Sequence, residues 1–264
     1  MSSQPLVSVV TPVHNGEAYL GECIESVLAQ TYQNWDYTIV DNCSTDRSRE
    51  VALRYAEKDC RIRVVTTDRL LDVMKSQNTA FRQLSPEAEY CKMLHADDWM
   101  FSNCLEQMVA LGEDHPSVGV IGSYRLDGVW VELDGLPFPS TVVPGQRLCR
   151  SMLGGGPRVF GSPSALLYRA RYVRQRPEFF DEADFHADVA ACFTGAVPAL
   201  QYDGYESRAA DGTTFITTAI DLADQTNAPT MYLLDVGQPC ASVINTAKLG
   251  LHAFKLVRPA ATRR

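Results

Sequence analysis

The sequence predicts an α/β protein, a Rossmann-like and mainly parallel sheet with helices on both faces. Two observations carry this. Short β-branched runs alternate four times with amphipathic helical patterns in the first hundred residues, and right-handed parallel βαβ units bury such alternating segments. The chain has 264 residues, 45% of them hydrophobic, with 17 Gly and 14 Pro spread along it. That composition excludes a collagen-like or wholly disordered chain.

Residues 6–12 (LVSVVTP) form a β-branched run closed by proline. Tyr19, Leu20, Cys23, Ile24, Val27 and Leu28 then fall at helical spacing,. The same alternation gives a strand at 35–41 (WDYTIVD), a helix at about 47–58, a strand at 62–66 (IRVVT), a helix at about 74–84 and a strand at 90–94 (YCKML). After a helix at about 101–113 the pattern changes to VGVIGSYR (118–125), VWVEL (129–133) and a Pro-rich loop at 137–145. Regular alternation therefore ends near residue 116, and no internal repeat or low-complexity tract follows.

Lys plus Arg number 24 against 32 Asp plus Glu, a net charge of −8. The average surface repels phosphate backbones, so nucleic acid is not an expected partner and any phosphate must be caught locally. The eight cysteines contain no CxxC pair, and their narrowest gap is 13 residues. Reduced, mostly buried thiols and a cytoplasmic location are expected. The opening MSSQPLVSVV lacks a basic leader region, and no apolar run approaches the roughly 20 residues that span a bilayer,. Neither secretion nor membrane spanning is expected.

In open α/β sheets ligands gather beyond the carboxyl ends of the strands. Those ends carry Thr11, Pro12, His14 and Asn15, then Asp41, Asn42, Ser44 and Asp46, then Thr67 to Arg69, and finally His95, Asp97 and Asp98. The strongest signal is KMLHADDWM (92–100), an apolar strand ending in two adjacent carboxylates. Such carboxylates supply hard oxygen ligands to Mg²⁺ or Mn²⁺ and accept from a ribose hydroxyl. Asp98 as a cap of the following helix is an equally good reading. The second signal is IVDNCSTDRS (39–48), in which Asp41 ends an apolar strand and can accept from a base N–H or a ribose hydroxyl. Turn preferences explain Asn42 to Ser48 without a ligand, with Asp46 suited to cap the next helix.

Together with VSVVTPVHNGEAYL and SVLAQTY, these segments resemble the family 2 glycosyltransferases, inverting enzymes of the GT-A fold, from about residue 6 to 110 and again at 161–193. The resemblance implies transfer of a sugar from a nucleoside diphosphate sugar donor, UDP-linked, to a carbohydrate or other hydroxyl acceptor. TPVHNG (11–16) is similar to the loop that holds the nucleotide, which assigns Thr11 and Pro12 there. VDNCSTDRS (40–48) resembles the segment whose first carboxylate, here Asp41, contacts uridine. QNTAF (77–81) resembles the helix carrying Asn78, also a nucleotide-side residue. HADD (95–98) resembles the acidic metal-binding stretch with His95 in its first acidic position. That leaves Asp97 as the metal ligand for Mg²⁺ or Mn²⁺, Asp98 beside it on the nucleotide, and His95 as a sugar contact; a histidine can also ligate Mn²⁺.

GSPSALLYR (161–169) resembles the acceptor-side strand, and FDEADFHADVAACF (180–193) resembles the segment of the catalytic base, which residue-by-residue matching places at Asp188. Asp181, Glu182 and Asp184 compete for that role. The organisation implied is a nucleotide-sugar-binding half at 1–116, an acceptor-side half at 117–194 in the same domain, and a tail at 195–264 without a match to the family. Peripheral association with a membrane stays open as a partner class.

A dinucleotide-binding oxidoreductase would need G-x-G-x-x-G after the first strand, where this chain has VHNGEAY,. A P-loop lysine motif is absent, as is the basic glycine-rich loop of nucleotidylyltransfer; Gly154 to Gly156 follow no strand. The competing function is a catalytically inactive sugar-nucleotide-binding protein, which His95 and the unmatched tail favour.

Overall fold

The computed structural model describes residues 4–127, 129–134, 136, 141–145, 147–148, 156, 159, 162–180 and 182, and strand backbone at 200–201, 206–207 and 214–218. The expected alternation is present: β1 (Val7–Val13), α1 (Leu20–Leu28), β2 (Trp35–Asp41), α2 (Ser48–Ala56), β3 (Ile62–Thr66), α3 (Val73–Phe81), β4 (Tyr90–Met93), α4 (Cys104–Asp114) and β5 (Val118–Ser123). A small hairpin, β6 (Arg125–Asp127) with β7 (Trp130–Glu132), follows, then β8 (Thr141–Pro144), a 3₁₀ turn at Pro163–Ala165, β9 (Leu166–Arg169) and the short α5 (Ala170–Arg174). The strands β10 (Leu200–Gln201), β11 (Glu206–Ser207) and β12 (Thr214–Thr218) lie in the region read as an unmatched tail.

The main sheet has the order β3-β2-β1-β4-β9-β5-β12-β8. β1 pairs in parallel with β2 and β4, and β2 in parallel with β3. β9 departs from the parallel rule: it runs antiparallel between β4 and β5, with Lys92 opposite Leu167 and Ile121 opposite Leu167 on the other side. The sheet therefore continues without a break from β4 into β5.

Alternation along the strands sends successive side chains to opposite faces. Val7, Val9, Tyr37 and Ile39 pack with Leu20, Ile24 and Val27 of α1 and Leu105 and Met108 of α4, all fully buried. Val10, Val40, Cys91 and Met93 face the other side, against Ala80 and Phe81 of α3, Val173 of α5, and Phe179 and Phe180. Helices α1 and α3 have nine residues each, too short to be stable alone in water. Burying each Leu, Ile or Val of α1 contributes about 1.5–3 kcal/mol, and this holds the helix in place.

Two boundaries differ from expectation. α3 starts at Val73 because Asp72 caps it, accepting from the Lys75 N–H at 3.0 Å. α4 starts at Cys104 rather than near 101, with Asn103 before it, so Asp98 lies in a turn and caps no helix. Among the described residues, no helix is long and apolar enough to cross a membrane.

Candidate functional site

The carboxyl ends of β1, β2 and β4 open into a cleft of about 650 Å³. Its walls are Pro12 to Gly16 and Tyr19 from the first βα unit, Asn42 after β2, Leu70 to Val73 with Ser76 and Gln77 of α3, and His95 to Asp97 after β4.

The first two loops are latched to each other. The Asn15 N–H donates to Ser44 Oγ at 3.0 Å, and Asn15 Oδ1 accepts from the Thr45 N–H at 2.8 Å. Asn15 holds φ 52° to do so, a conformation Asn adopts more readily than most residues. The Gly16 N–H donates to Ser48 Oγ at 2.8 Å, and the Glu17 N–H to Asp46 Oδ2 at 3.0 Å. Asp46 Oδ1 also accepts from the Ser48 N–H at 2.9 Å, so it supports the start of α2 and the neighbouring loop together. His14 Nδ1 donates to the Asn42 carbonyl at 2.8 Å.

Of the residues expected on the nucleotide, Pro12 lines the cleft and Thr11 does not. Thr11 is fully buried on the α1 face, its hydroxyl donating to the Leu94 carbonyl at 2.7 Å and lying 2.8 Å from Tyr37 Oη. Strand alternation sets this: Thr11 shares the parity of Val7 and Val9, whereas Pro12 points the other way. Asp41 is 1% exposed at the end of β2, with Oδ1 accepting from the Ser44 N–H at 3.1 Å. The residue after it reaches the cleft. Asn42 uses its side chain there to hold the wall: Nδ2 donates to the Leu71 carbonyl and Oδ1 accepts from the Leu71 N–H, both at 2.9 Å.

Asn78 is likewise absent from the cleft lining. It is 1% exposed, and its amide is committed to Phe180 and to Glu182 Oε1 at 3.2 Å. Gln77, one helical step away, is the residue of this pair that faces the cleft. The signal that could have found it is the helical register itself, since neighbours on a helix point about 100° apart.

His95, Asp97 and Asp98 converge, with one ligand atom from each lying within 4.8 Å of the others. Asp97 is exposed and Asp98 is largely buried. Burial pushes the Asp98 carboxyl up to about 6, and Asp97 adds to the rise; the Ser164 hydroxyl, Arg125 and Lys92 act in the opposite direction. Burial lowers the His95 imidazole below its ordinary value, against the pull of Asp97. Ser164 ties the acceptor-side 3₁₀ turn to this cluster, its Oγ accepting from the His95 N–H at 3.0 Å. Beneath it, the fully buried Lys92 donates to the Ser164 and Leu166 carbonyls at 2.5 and 3.2 Å. Neither Ser164 nor Lys92 stands out in the sequence, because what matters is the pairing of β4 with β9. Two carboxylates at an open strand end, one accessible and one held from behind, are a donor set suited to a hard divalent cation.

Asp188, Asp181 and Asp184 lie outside the described residues. Glu182 is within them, and its carboxylate is bound to Asn78 and lies 3.8 Å from Arg82.

The sequence profile described as Glycosyl transferase family 2 matches residues 8–141, from β1 to the first residue of β8, and so takes in every cleft residue named above. The chain belongs to this family. Among its relatives, it is similar to glycosyltransferase GlyG of Streptococcus pneumoniae, 33% identical over 188 residues, covering 68% of this chain and 60% of GlyG. The chain thus spans less than two thirds of that relative's length. Its fold is GT-A type. It resembles S. aureus TarS residues 1–349 in complex with UDP, with TM-score 0.61 and 20% identity over 87% of this chain and 62% of that one. It also resembles the mannosyltransferase PcManGT of Pyrobaculum calidifontis in complex with GDP-Man and Mn²⁺, with TM-score 0.55 and 17% identity over 81% and 57% of the two chains.

Proposed function

We propose that this family 2 chain transfers a sugar from a nucleoside diphosphate sugar, UDP-linked, to an acceptor hydroxyl with inversion at the anomeric carbon. The observation that carries the proposal is the acidic end of β4, His95–Asp97–Asp98, set in the wall of a cleft at the carboxyl ends of parallel strands. Asp97, with Asp98 behind it, is the proposed holder of Mg²⁺ or Mn²⁺. When bound, such a cation supplies Lewis-acid stabilisation of the leaving diphosphate. The acceptor is a carbohydrate or other hydroxyl compound.

Asp41 is proposed to recognise the nucleoside, and Pro12 and His14 to form the floor beneath it. His95 orients the donor sugar from the cleft wall. Asp188 is proposed as the base that removes the acceptor proton as the new bond forms; a carboxylate in that role contributes roughly 10²- to 10⁴-fold to rate. Support for sugar transfer comes from the family, and support for a nucleotide-sugar donor comes from the UDP-GlcNAc bound by TarS in a second complex and the GDP-Man bound by PcManGT.

Calorimetry with a panel of nucleotide sugars, each titrated with Mg²⁺, with Mn²⁺ and with EDTA, tests the donor and the cation together. Asp97→Ala is expected to abolish cation-dependent binding; affinity that is the same with EDTA would overturn the proposal. Release of nucleoside diphosphate on adding acceptor separates a transferase from an inactive binder, and Asp188→Asn should lose transfer while keeping donor affinity.

A further inference from the structure

Gln77 is 5% exposed, and its amide meets the imidazole of His95 nitrogen to nitrogen, Nε2 to Nε2 at 3.2 Å. An amide NH₂ has hydrogens to give and no lone pair to offer, so the contact is a hydrogen bond only if His95 Nε2 accepts. The ring's other nitrogen then carries the proton. Nδ1 lies 3.9 Å from Asp98 Oδ2, where an N–H is attracted and a lone pair is repelled. Turning the amide over would bring Oε1 to Nε2, demand Nε2–H, and leave a bare Nδ1 facing that carboxylate. Asp98 thus selects the same orientation. It does so although Gln77 Oε1 is left buried without a hydrogen-bond partner.

We propose that Gln77 is a positioning residue of this site: by donating to His95 Nε2 it fixes the imidazole as the Nδ1–H tautomer and withholds both ring nitrogens from any cation at Asp97 and Asp98. The cation then meets only oxygen from this cluster, although the imidazole is close enough to share it. Oxygen-only ligation suits Mg²⁺ and Mn²⁺, whereas an available imidazole favours Zn²⁺. The statement on cations rests on the function proposed above; the statement on the tautomer does not.

The test is two-bond ¹H–¹⁵N correlation of ¹⁵N-histidine-labelled full chain without metal, with His95 assigned by the resonance lost in His95→Gln. The expected result is a protonated Nδ1 and an unprotonated Nε2; a protonated Nε2 would overturn the proposal. Gln77→Glu keeps the shape and can only accept, so it should place a proton on Nε2, and an unaltered spectrum would again overturn it. Gln77→Leu frees the lone pair, and Zn²⁺ affinity should rise roughly tenfold with Mg²⁺ affinity unaltered, a size typical of changes beside metal ligands. Equal Zn²⁺ affinity in parent and Gln77→Leu would remove the cation statement. If the parent shows no cation-dependent donor binding, the functional reading falls, while the metal-free spectrum still decides the role of Gln77.

Discussion

Asn78 pairs with the peptide group of Phe180 as one strand pairs with another: its Oδ1 accepts from the Phe180 N–H at 2.9 Å and its Nδ2 donates to the Phe180 carbonyl at 2.8 Å. A side chain thereby closes the backbone hydrogen bonds of a buried segment 102 residues away. Asn78→Ala would leave both groups bare, at a cost of roughly 1–3 kcal/mol for each. The urea midpoint should fall by the equivalent of about 2–6 kcal/mol with the slope unchanged, and nucleotide-sugar affinity of the folded fraction should hardly move. A large loss of affinity with unaltered stability would return Asn78 to the ligand.

Gly16 is a second point of close approach. A methyl group added there would lie 2.8 Å from Val13 Cγ2 and 3.5 Å from Ala96 Cβ. Gly16→Ala should therefore cost roughly 1–3 kcal/mol as overpacking, seen as a fall of about 2–10 °C in the thermal midpoint. Donor affinity should fall as well, because Val13 and Ala96 both line the cleft. Unchanged melting would show that Val13 yields freely.

The thiols give a test by pH. Burial pushes Cys23 up from 9.0 to about 12, and Cys91 and Cys104 are raised for the same reason. The folded state holds these protons more tightly than the unfolded chain, so their contribution to stability is complete below pH 9.0 and is lost as pH rises through the folded-state values. Stability should decline above about pH 9 for this reason. At pH near 8, alkylation followed by mass spectrometry should label exposed Cys60 before Cys23, Cys91 or Cys104. Equal labelling of all four would contradict the described core.

Asp41→Asn keeps an oxygen for the Ser44 N–H and removes the charge proposed to meet the nucleoside. Donor KM should rise roughly 10- to 100-fold, the size expected for one charged hydrogen bond, with kcat nearly constant. A severe loss in kcat at unaltered KM would place Asp41 in the chemical step instead.

The alternation of strand and helix between Val7 and Asp114 was legible because each element there buries a face that its own sequence period marks. β9 was not legible in its place, since nothing within LLYR says that it will pair antiparallel with residues 90–92. The acidic end of β4 announced itself as carboxylates following an apolar run. Thr11 and Asn78, expected on the nucleotide, are both buried away from the cleft lining: a step of one along a strand or helix turns the side chain and brings Pro12 or Gln77 to the cleft instead. Ser164 was missed, and Asn42 was read only as a turn residue at a strand end, because their work is done by hydrogen bonds to distant backbone, which carries no mark in the local sequence.

The antiparallel insertion of β9 also sets an order of events during synthesis. Until Leu166–Arg169 emerges, one edge of β4 lacks the strand that later covers it, and Lys92 lacks both of its carbonyl acceptors, the nearer of them 72 residues downstream. Contacts between segments so far apart form late and slowly, and an unpaired central edge is a template for joining another chain. Nascent chains halted between β5 and β9 should therefore be the species most prone to self-association.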